Sequence, residues 1–191
     1  MTDSTKSFST GIDSSRRRFI IGTATALAAS MAMPITARPA HASVQARRLS
    51  FYHTHTGEKL AIDYHDGDAY IPESLSEINH YLKDFRTGES HPIDPKLLDI
   101  LHHLKTATNN NGVFEVISGY RSPATNTKLR DKSSGVAKRS LHMQGKAIDI
   151  RLPGCDTHEL HKTCRSLAKG GVGYYQKSDF IHVDTGRVRY W

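Results

Sequence analysis

The sequence lacks the features that mark several common protein classes. It holds no run of six or more like charges and no internal repeat, so neither a polyionic tail nor a repeat architecture is predicted. Its two cysteines are not in C-x-x-C spacing, which argues against a thiolate zinc site. Cys155 and Cys164 flank or lie in one predicted helix, where a rise of about 1.5 Å per residue places them roughly 13 Å apart. We therefore expect free thiols rather than a disulfide.

An uncharged stretch of small and apolar residues, 21–37, follows the pair Arg16-Arg17 and precedes the triplet Ala40-His41-Ala42. A basic region, an apolar region and a small-residue cleavage site are the three parts of an export signal. The paired arginines are typical of the twin-arginine version, so we predict such a signal peptide over residues 1–42. The alternative is an uncleaved membrane anchor, which the Gly, Thr and Ser residues of the stretch disfavour. No cysteine lies near the predicted cleavage point, so a lipoprotein is not expected.

The predicted mature chain, 43–191, is long enough for one hydrophobic core. Residues 1–42 hold five basic and two acidic residues, so the formal charge falls from +7 to +4 after cleavage. This excess is too small to indicate nucleic-acid binding, and it suits a polymer with exposed carboxylates. We expect an exported monomer without stable membrane insertion.

The order of predicted elements indicates an α+β domain. Apolar residues bracket a Thr56-Gly57 turn and predict a hairpin. Helical spacing predicts one helix from Pro72 through Phe85 and a second after Asp94-Pro95. The second half is rich in strands around one helix that begins at Asp156, so we predict a mainly antiparallel sheet.

Strand parity brings one carboxylate and two imidazoles together. In "KAIDIRL" (146–152), Asp149 lies on the face opposite Ile148 and Ile150. In "DFIHVDT" (179–185), His182 lies opposite the aliphatic face, and His142 is in the loop that precedes the first strand. If the two strands are neighbours, these three side chains are a sufficient set for a catalytic zinc, which binds N and O atoms at about 2.0–2.2 Å. Asp184 shares the face of His182 and could orient its ring.

Simpler interpretations exist for each of these residues. Asp149 could pair on the surface with Arg151 or Lys146, and either histidine could be an ordinary loop or strand residue. The joint pattern favours the metal interpretation over these. Other histidine pairs could also bind a metal, but we interpret them as exposed side chains: His53 with His55, and His158 with His161.

Three motifs together resemble the zinc D-alanyl-D-alanine peptidase family, the LAS-type metallopeptidases. They are "SGYRS" (118–122), "SLHMQGKAIDI" (140–150) and "DFIHVDTG" (179–186). Within that family, the paired arginines, the "HPIDP" loop (91–95) and "GRVRYW" (186–191) are similar to the murein endopeptidase K type. The resemblance covers essentially the whole of 43–191. It implies a hedgehog-like α+β fold with the helices to one side of the sheet.

The resemblance also implies roles for individual residues. The family's zinc ligands fall on His142, Asp149 and His182, and its substrate-polarising arginine falls on Arg121. Some members place the general base three residues before the last ligand, where this chain has Asp179. Others use a histidine two residues before that ligand, where this chain has Phe180. We therefore predict Asp179 as the base, although aspartate is shorter than the glutamate found in other members.

The function implied is a periplasmic zinc-dependent murein endopeptidase that cuts amide cross-links between peptidoglycan stem peptides. A D,D-carboxypeptidase that trims terminal D-alanine is the alternative within the enzymes. An inactive zinc-containing binding module and a purely structural periplasmic domain are alternatives outside them. The basic loop 128–139 is either a solvated surface or a rim that contacts acidic stem peptides.

Overall fold

A computed structural model of the protein describes residues 45–133 and 135–191. The predicted signal peptide, 1–42, lies outside these ranges. Within them, no helix has both the length and the apolar character needed to cross a membrane.

The described residues form eleven regular elements in an α+β arrangement. In chain order they are β1 (Arg47–His53), β2 (Lys59–His65), α1 (Pro72–Tyr81), α2 (Pro95–Ala107), β3 (Phe114–Ser118), α3 (Pro123–Lys132), β4 (Ala147–Arg151), α4 (Thr157–Ser166), β5 (Gly171–Tyr175), β6 (Phe180–Asp184) and β7 (Arg189–Tyr190). Short 3-10 turns at Leu141–Gln144 and Gln176–Ser178 precede β4 and β6.

The strands form one sheet in the order β2-β1-β3-β4-β6-β5-β7. The pairs β1–β2, β3–β4, β4–β6 and β5–β6 are antiparallel, and the pairs β1–β3 and β5–β7 are parallel. The predicted α+β class with a mainly antiparallel sheet is confirmed. The hairpin predicted at Thr56-Gly57 is also present, as β1 and β2.

Helices cover the aliphatic face of the sheet. Ile148 and Ile150 of β4 join the same buried cluster as residues from α1, α2 and α4, among them Ile78, Leu101 and Leu160. The buried residues of α3 are polar, Thr125 and Asn126. Because the helices occupy the aliphatic face, the opposite face of β4 and β6 is left for polar side chains.

Side-chain caps fix where three helices begin. Asp94 accepts a hydrogen bond from the Lys96 backbone N–H, and Ser122 accepts one from Thr125 N–H. Asp156 accepts from two backbone N–H groups at the start of α4, as its sequence predicts. Cys164 on this helix is buried and Cys155 before it is half-buried, and both thiols are free.

Helix α1 is shorter than its spacing predicts. It ends at Tyr81, and the Asp84 carbonyl then accepts hydrogen bonds from the backbone N–H groups of Thr87 and Gly88. Phe85 therefore leaves the helix. Its ring stacks on His55, with centroids 4.5 Å apart. The two rings are far apart in the sequence. Their contact accounts for the position of Phe85, and helical spacing alone cannot predict such a contact.

The loop before α2 supports the turn that carries His142. The backbone N–H of Asp94 donates to the Gly145 carbonyl at 2.9 Å. The Asp94 carboxylate accepts from the Thr185 hydroxyl at 2.7 Å. Gly145 has a positive φ of 64°, and a Cβ there would overlap the Pro92 carbonyl. The close approach of two backbones therefore requires glycine at this position.

We expect Gly145→Ala to lower the free energy of unfolding by about 2–4 kcal/mol. The left-handed backbone costs about 1 kcal/mol for alanine, and forced overpacking adds typically about 1–3 kcal/mol. Gly57→Ala is the matched control, because Gly57 also has a positive φ (75°) but nothing lies within 4 Å of its added Cβ. Urea unfolding of both variants measures the difference. Equal destabilisation would mean that the contact with Pro92 is not tight.

Candidate metal centre

Three buried side chains from separate elements converge on the polar face of the sheet. His142 lies in the Leu141–Gln144 turn, Asp149 in β4 and His182 in β6. Asp149 and His182 are direct partners across the antiparallel pair. One potential ligand atom from each of the three residues lies within 4.8 Å of the others. The pairing that strand parity requires is therefore present.

The distances among the three residues are short. Asp149 Oδ1 lies 3.2 Å from His142 Nε2 and 2.9 Å from His182 Nδ1. The two ring nitrogens are 3.1 Å apart. The three residues are 2%, 6% and 7% exposed in the order His142, Asp149, His182, so solvent does little to screen their interaction.

The outer nitrogen of each ring faces a hydrogen-bond acceptor. His142 Nδ1 lies 2.8 Å from the Gly119 carbonyl, which can only accept a hydrogen bond. His182 Nε2 lies 2.9 Å from a carboxylate oxygen of Asp184. His142 Nδ1 therefore donates. When His182 Nε2 donates to Asp184 and both rings are neutral, the lone pairs of the two inner nitrogens face Asp149. Three acceptors that face one another need a cation among them, so these residues fit a divalent metal.

The pKa shifts of Asp149 and His182 also indicate that a positive charge is favoured at this point. Burial lowers the pKa of His182, but hydrogen bonds to Asp149 and Asp184 outweigh burial and raise it to about 9. Burial likewise lowers the pKa of His142. Although burial opposes it, the interaction of Asp149 with His142 and His182 holds the pKa of this carboxyl far below its usual range. Without a metal, the raised pKa favours a proton on His182, and this proton supplies the positive charge.

Arg121 lies beside this group. It follows β3, and its backbone N–H donates to the His142 carbonyl at 3.3 Å. Its Nη2 lies 3.3 Å from Asp149 Oδ2 and from Ser118 Oγ. Its Nε is buried and has no hydrogen-bond partner within the described ranges. The guanidinium is thus anchored at one end and keeps a donor for another group.

The group opens into a cleft of about 380 Å³. Its walls combine aromatic and basic side chains, namely Tyr175, Phe180, Trp191, Arg121, Arg139 and Arg189. Within residues 45–133 and 135–191, Asp149 is the acidic side chain that lines it. A cleft of this composition suits a ligand that carries negative charge.

The structure does not bring Asp179 into this cleft. Its side chain is 65% exposed, and one carboxylate oxygen accepts from the Thr157 hydroxyl at 2.5 Å. The other oxygen lies 3.7 Å from Arg151, which shares the face of Asp149 on β4. The Asp179 carboxylate is therefore held between Thr157 of α4 and Arg151 of β4, and it does not line the cleft.

The other histidine pairs considered in the sequence do not form a second metal centre within the described residues. In the part of the chain that the structure describes, no further group of three potential ligands comes together. His53 is buried, so its interpretation as an exposed strand residue is wrong. His161 is also buried, and it stacks on Tyr174 with centroids 5.0 Å apart.

The sequence predicts Tyr175 as a wall or core residue, and it lines the cleft, but Arg189 and Trp191 have no predicted role there. Arg189 contacts Asp184, and the Trp191 ring lies 5.3 Å from the His182 ring. Arg189 and Trp191 are two residues apart, which is the spacing of side chains on one face of a strand. A run this short does not by itself predict a strand.

The chain matches a described protein family over residues 41–191. The description of that family is peptidoglycan L,D-endopeptidase MepK. The chain belongs to this family. It is 38% identical over 179 residues to the peptidoglycan L,D-endopeptidase MepK of Escherichia coli (strain K12), an alignment that covers 94% of this chain and 98% of that protein. It is 37% identical over 181 residues to a probable MepK of Haemophilus influenzae, covering 94% and 97%. The resemblance inferred from the motifs is confirmed.

We expect metal binding to displace about one proton at pH 7.5. The raised pKa of His182 means that the metal-free protein keeps this proton up to about pH 9. A metal needs the unprotonated Nδ1, so the apparent affinity rises with pH until about 9 and then levels off. By the same shift, the proton on His182 stabilises the metal-free fold most below pH 6.5, and this stabilisation is lost as pH rises through about 9.

Calorimetric titration of the chelator-treated protein with Zn²⁺, in two buffers of different ionisation enthalpy, measures the released proton. His55→Gln is the matched control, because that ring stacks on Phe85 away from the centre. Binding heats that do not depend on the buffer would contradict the prediction.

Proposed function

We propose that the protein is a zinc-dependent peptidoglycan L,D-endopeptidase that hydrolyses amide cross-links between stem peptides. The observation that carries the proposal is the convergence of three buried ligand atoms beside a buried arginine, in a member of the MepK family. The relatives are a peptidoglycan L,D-endopeptidase and a probable one, and this is the basis for the proposed substrate and L,D linkage. The donor set of two imidazoles and one carboxylate supports zinc, because catalytic zinc sites combine three such ligands with one open position.

Each of the three side chains has a defined part in the proposed centre. His142 would hold zinc through Nε2, His182 through Nδ1 and Asp149 through Oδ1. Zinc supplies a Lewis acid that polarises a carbonyl and activates water. The hydrogen bonds to Gly119 and Asp184 keep both rings turned so that these atoms face the same point.

Arg121 is the proposed electrophilic group. Its contact with Asp149 holds the guanidinium at the edge of the centre, and its Nε remains as a donor. A fixed donor aimed at a carbonyl oxygen stabilises the negative charge that develops when the amide is attacked. It would also bind a substrate carboxylate through paired N–H groups.

Asp179 is the proposed general base, carried by the third motif of the resemblance. Its place three residues before His182 supports this role, and so does its contact with Arg151, which follows Asp149 by two residues on β4. To reach the cleft, the carboxylate has to leave the Thr157 hydroxyl. Substrate binding would then have to replace this hydrogen bond and draw the exposed Asp179 side chain inward.

The composition of the cleft supports a stem peptide as substrate. Arg121, Arg139 and Arg189 face a space with Asp149 as its acidic lining residue, so peptides with free carboxylates are favoured. Tyr175 and Phe180 stack with centroids 4.6 Å apart and form an apolar wall. We further propose that the protein acts as a monomer in the periplasm, exported by the twin-arginine pathway after which residues 1–42 are removed.

Digestion of purified sacculi tests the proposed function. We expect the protein to convert cross-linked muropeptide dimers to monomers, and we expect a chelator or His182→Ala to abolish this conversion. His80→Ala is the matched control, because His80 is exposed at the end of α1. Chromatography of the muropeptides, with isolated L,D and D,D cross-linked dimers as separate substrates, identifies the bond that is cut.

The alternatives give different products in the same assay. Loss of terminal D-alanine alone would indicate a carboxypeptidase. Stoichiometric zinc without any product would indicate a binding module. Either result would overturn the endopeptidase proposal.

We expect Asp179→Asn to lower kcat by about 100-fold or more while zinc content stays unchanged, because general bases contribute typically about 10²–10⁴-fold. Thr157→Val removes the hydroxyl that holds the carboxylate and should keep wild-type turnover or exceed it. Steady-state kinetics on a cross-linked dimer, with metal analysis of each variant, measures both effects. Unchanged turnover in Asp179→Asn would remove this residue from the mechanism.

A further inference from the structure

Asp184 is a carboxylate with an unusually complete set of donors. It is fully buried, and one oxygen lies 2.9 Å from His182 Nε2. The other oxygen accepts from the backbone N–H groups of Gly171 at 3.1 Å and Gly186 at 2.8 Å. With the donors of Arg189 added, five N–H groups surround the carboxylate, so its plane and its rotamer are fixed.

Arg189 supplies two of these five donors. Its Nη2 lies 2.7 Å from Asp184 Oδ2 and its Nη1 lies 3.0 Å from Asp184 Oδ1. A two-point contact of this kind sets the orientation of a carboxylate as well as its charge. The oxygen that Arg189 Nη2 contacts is the same Oδ2 that faces His182. The guanidinium therefore acts on the atom that orients the ring.

The strand β7 holds Arg189 in this position. Gly171 and Val172 of β5 pair in parallel with Arg189 and Tyr190. The guanidinium carbon lies 4.9 Å from the centre of the Trp191 ring, and Arg189 Nη1 also contacts the Arg187 carbonyl at 3.2 Å. The pairing of β7 with β5, the Trp191 ring and the Arg187 carbonyl together hold the Arg189 side chain in place.

Trp191 restrains the same histidine on its face. Its indole centroid lies 5.3 Å from the His182 ring, and its Nε1–H donates to the Tyr175 hydroxyl at 3.2 Å. Its backbone N–H donates to the Val172 carbonyl and its carbonyl accepts from Tyr174 N–H. The strand β7 and the residue after it therefore contact His182 directly and through Asp184.

We propose that Arg189 is a positioning residue for the metal centre, acting through Asp184 to keep His182 Nδ1 aimed at the metal. The proposal rests on the proposed function, because it presumes that His142, Asp149 and His182 hold zinc. Without Arg189, Asp184 keeps its backbone donors but loses the contact that fixes Oδ2 opposite the ring. The His182 ring then samples orientations in which Nδ1 no longer faces His142 Nε2 and Asp149 Oδ1.

The test compares Arg189→Gln and Arg189→Lys with Arg187→Gln, a matched control on the same segment whose exposed side chain has no described contact with Asp184. Competition with a chromophoric chelator gives the zinc affinity, and visible absorption of the Co²⁺-substituted protein reports the geometry of the ligands. We expect Arg189→Gln to weaken zinc binding about 10-fold, the lower end of the roughly 10–100-fold loss typical of removing a histidine's outer hydrogen-bond partner, because Arg189 acts on that partner, Asp184, and not on His182 itself. Arg189→Lys should show a smaller loss, and Arg187→Gln none.

A double substitution separates positioning from general destabilisation. Asp184→Asn should itself weaken zinc binding, and Arg189→Gln should add little in that background because its target carboxylate is gone. Urea unfolding of the metal-free variants shows whether the fold is intact, and Arg189→Lys keeps the positive charge if Arg189→Gln does not fold.

The outcomes are distinguishable. Wild-type zinc affinity and an unchanged Co²⁺ spectrum in the Arg189 variants would overturn the positioning role while leaving the metal centre in place. Fully additive losses in the double variant would also overturn it. A wild-type protein that binds neither Zn²⁺ nor Co²⁺ would instead overturn the proposed function on which the inference rests.

Discussion

The mutual repulsion of three lone pairs is the constraint on which the rest of the site depends. His142 Nε2, His182 Nδ1 and Asp149 Oδ1 meet beside the cleft in side chains that are almost fully buried. Such an arrangement is stable only with a positive charge at its centre, either a metal ion or a proton. The carbonyl of Gly119 and the carboxylate of Asp184 maintain it by occupying the outer nitrogens. The chemistry of the centre is therefore decided as much by these two acceptors as by the three residues themselves.

The sheet meets this constraint by separating its two faces. On β4, Ile148 and Ile150 pack under the helices, while Asp149 between them reaches the opposite side. The packing of the aliphatic face against the helices holds the strand in place. The side chains on its polar face are therefore held in place as well. Sites built on paired strands hold their side chains more exactly in place than sites on loops. The His142 turn, which is not part of a strand, is instead held by backbone contacts with the loop before α2.

Much of this was predictable because it depends on short-range rules. Parity along β4 and β6 predicted which side chains share a face, and caps such as Asp156 predicted where helices begin. The positions that escaped prediction depend on contacts between distant segments. Phe85 leaves α1 for His55, and Asp179 is held by Thr157, a partner 22 residues away. Arg189 belongs to a two-residue strand, whose existence depends on the neighbouring β5 rather than on its own pattern.

The direct pairing of Asp149 with His182 has a consequence for how such proteins can change over time. A deletion or insertion of a single residue within β4 or β6 would turn every later side chain of that strand to the other face. An isoleucine would then point into the cleft, and a carboxylate would point into the hydrophobic core. Folding and catalysis would therefore be lost together. Length variation among descendants of this sequence should therefore be confined to the segments that connect the elements, while the two strands accept substitutions but no change in length.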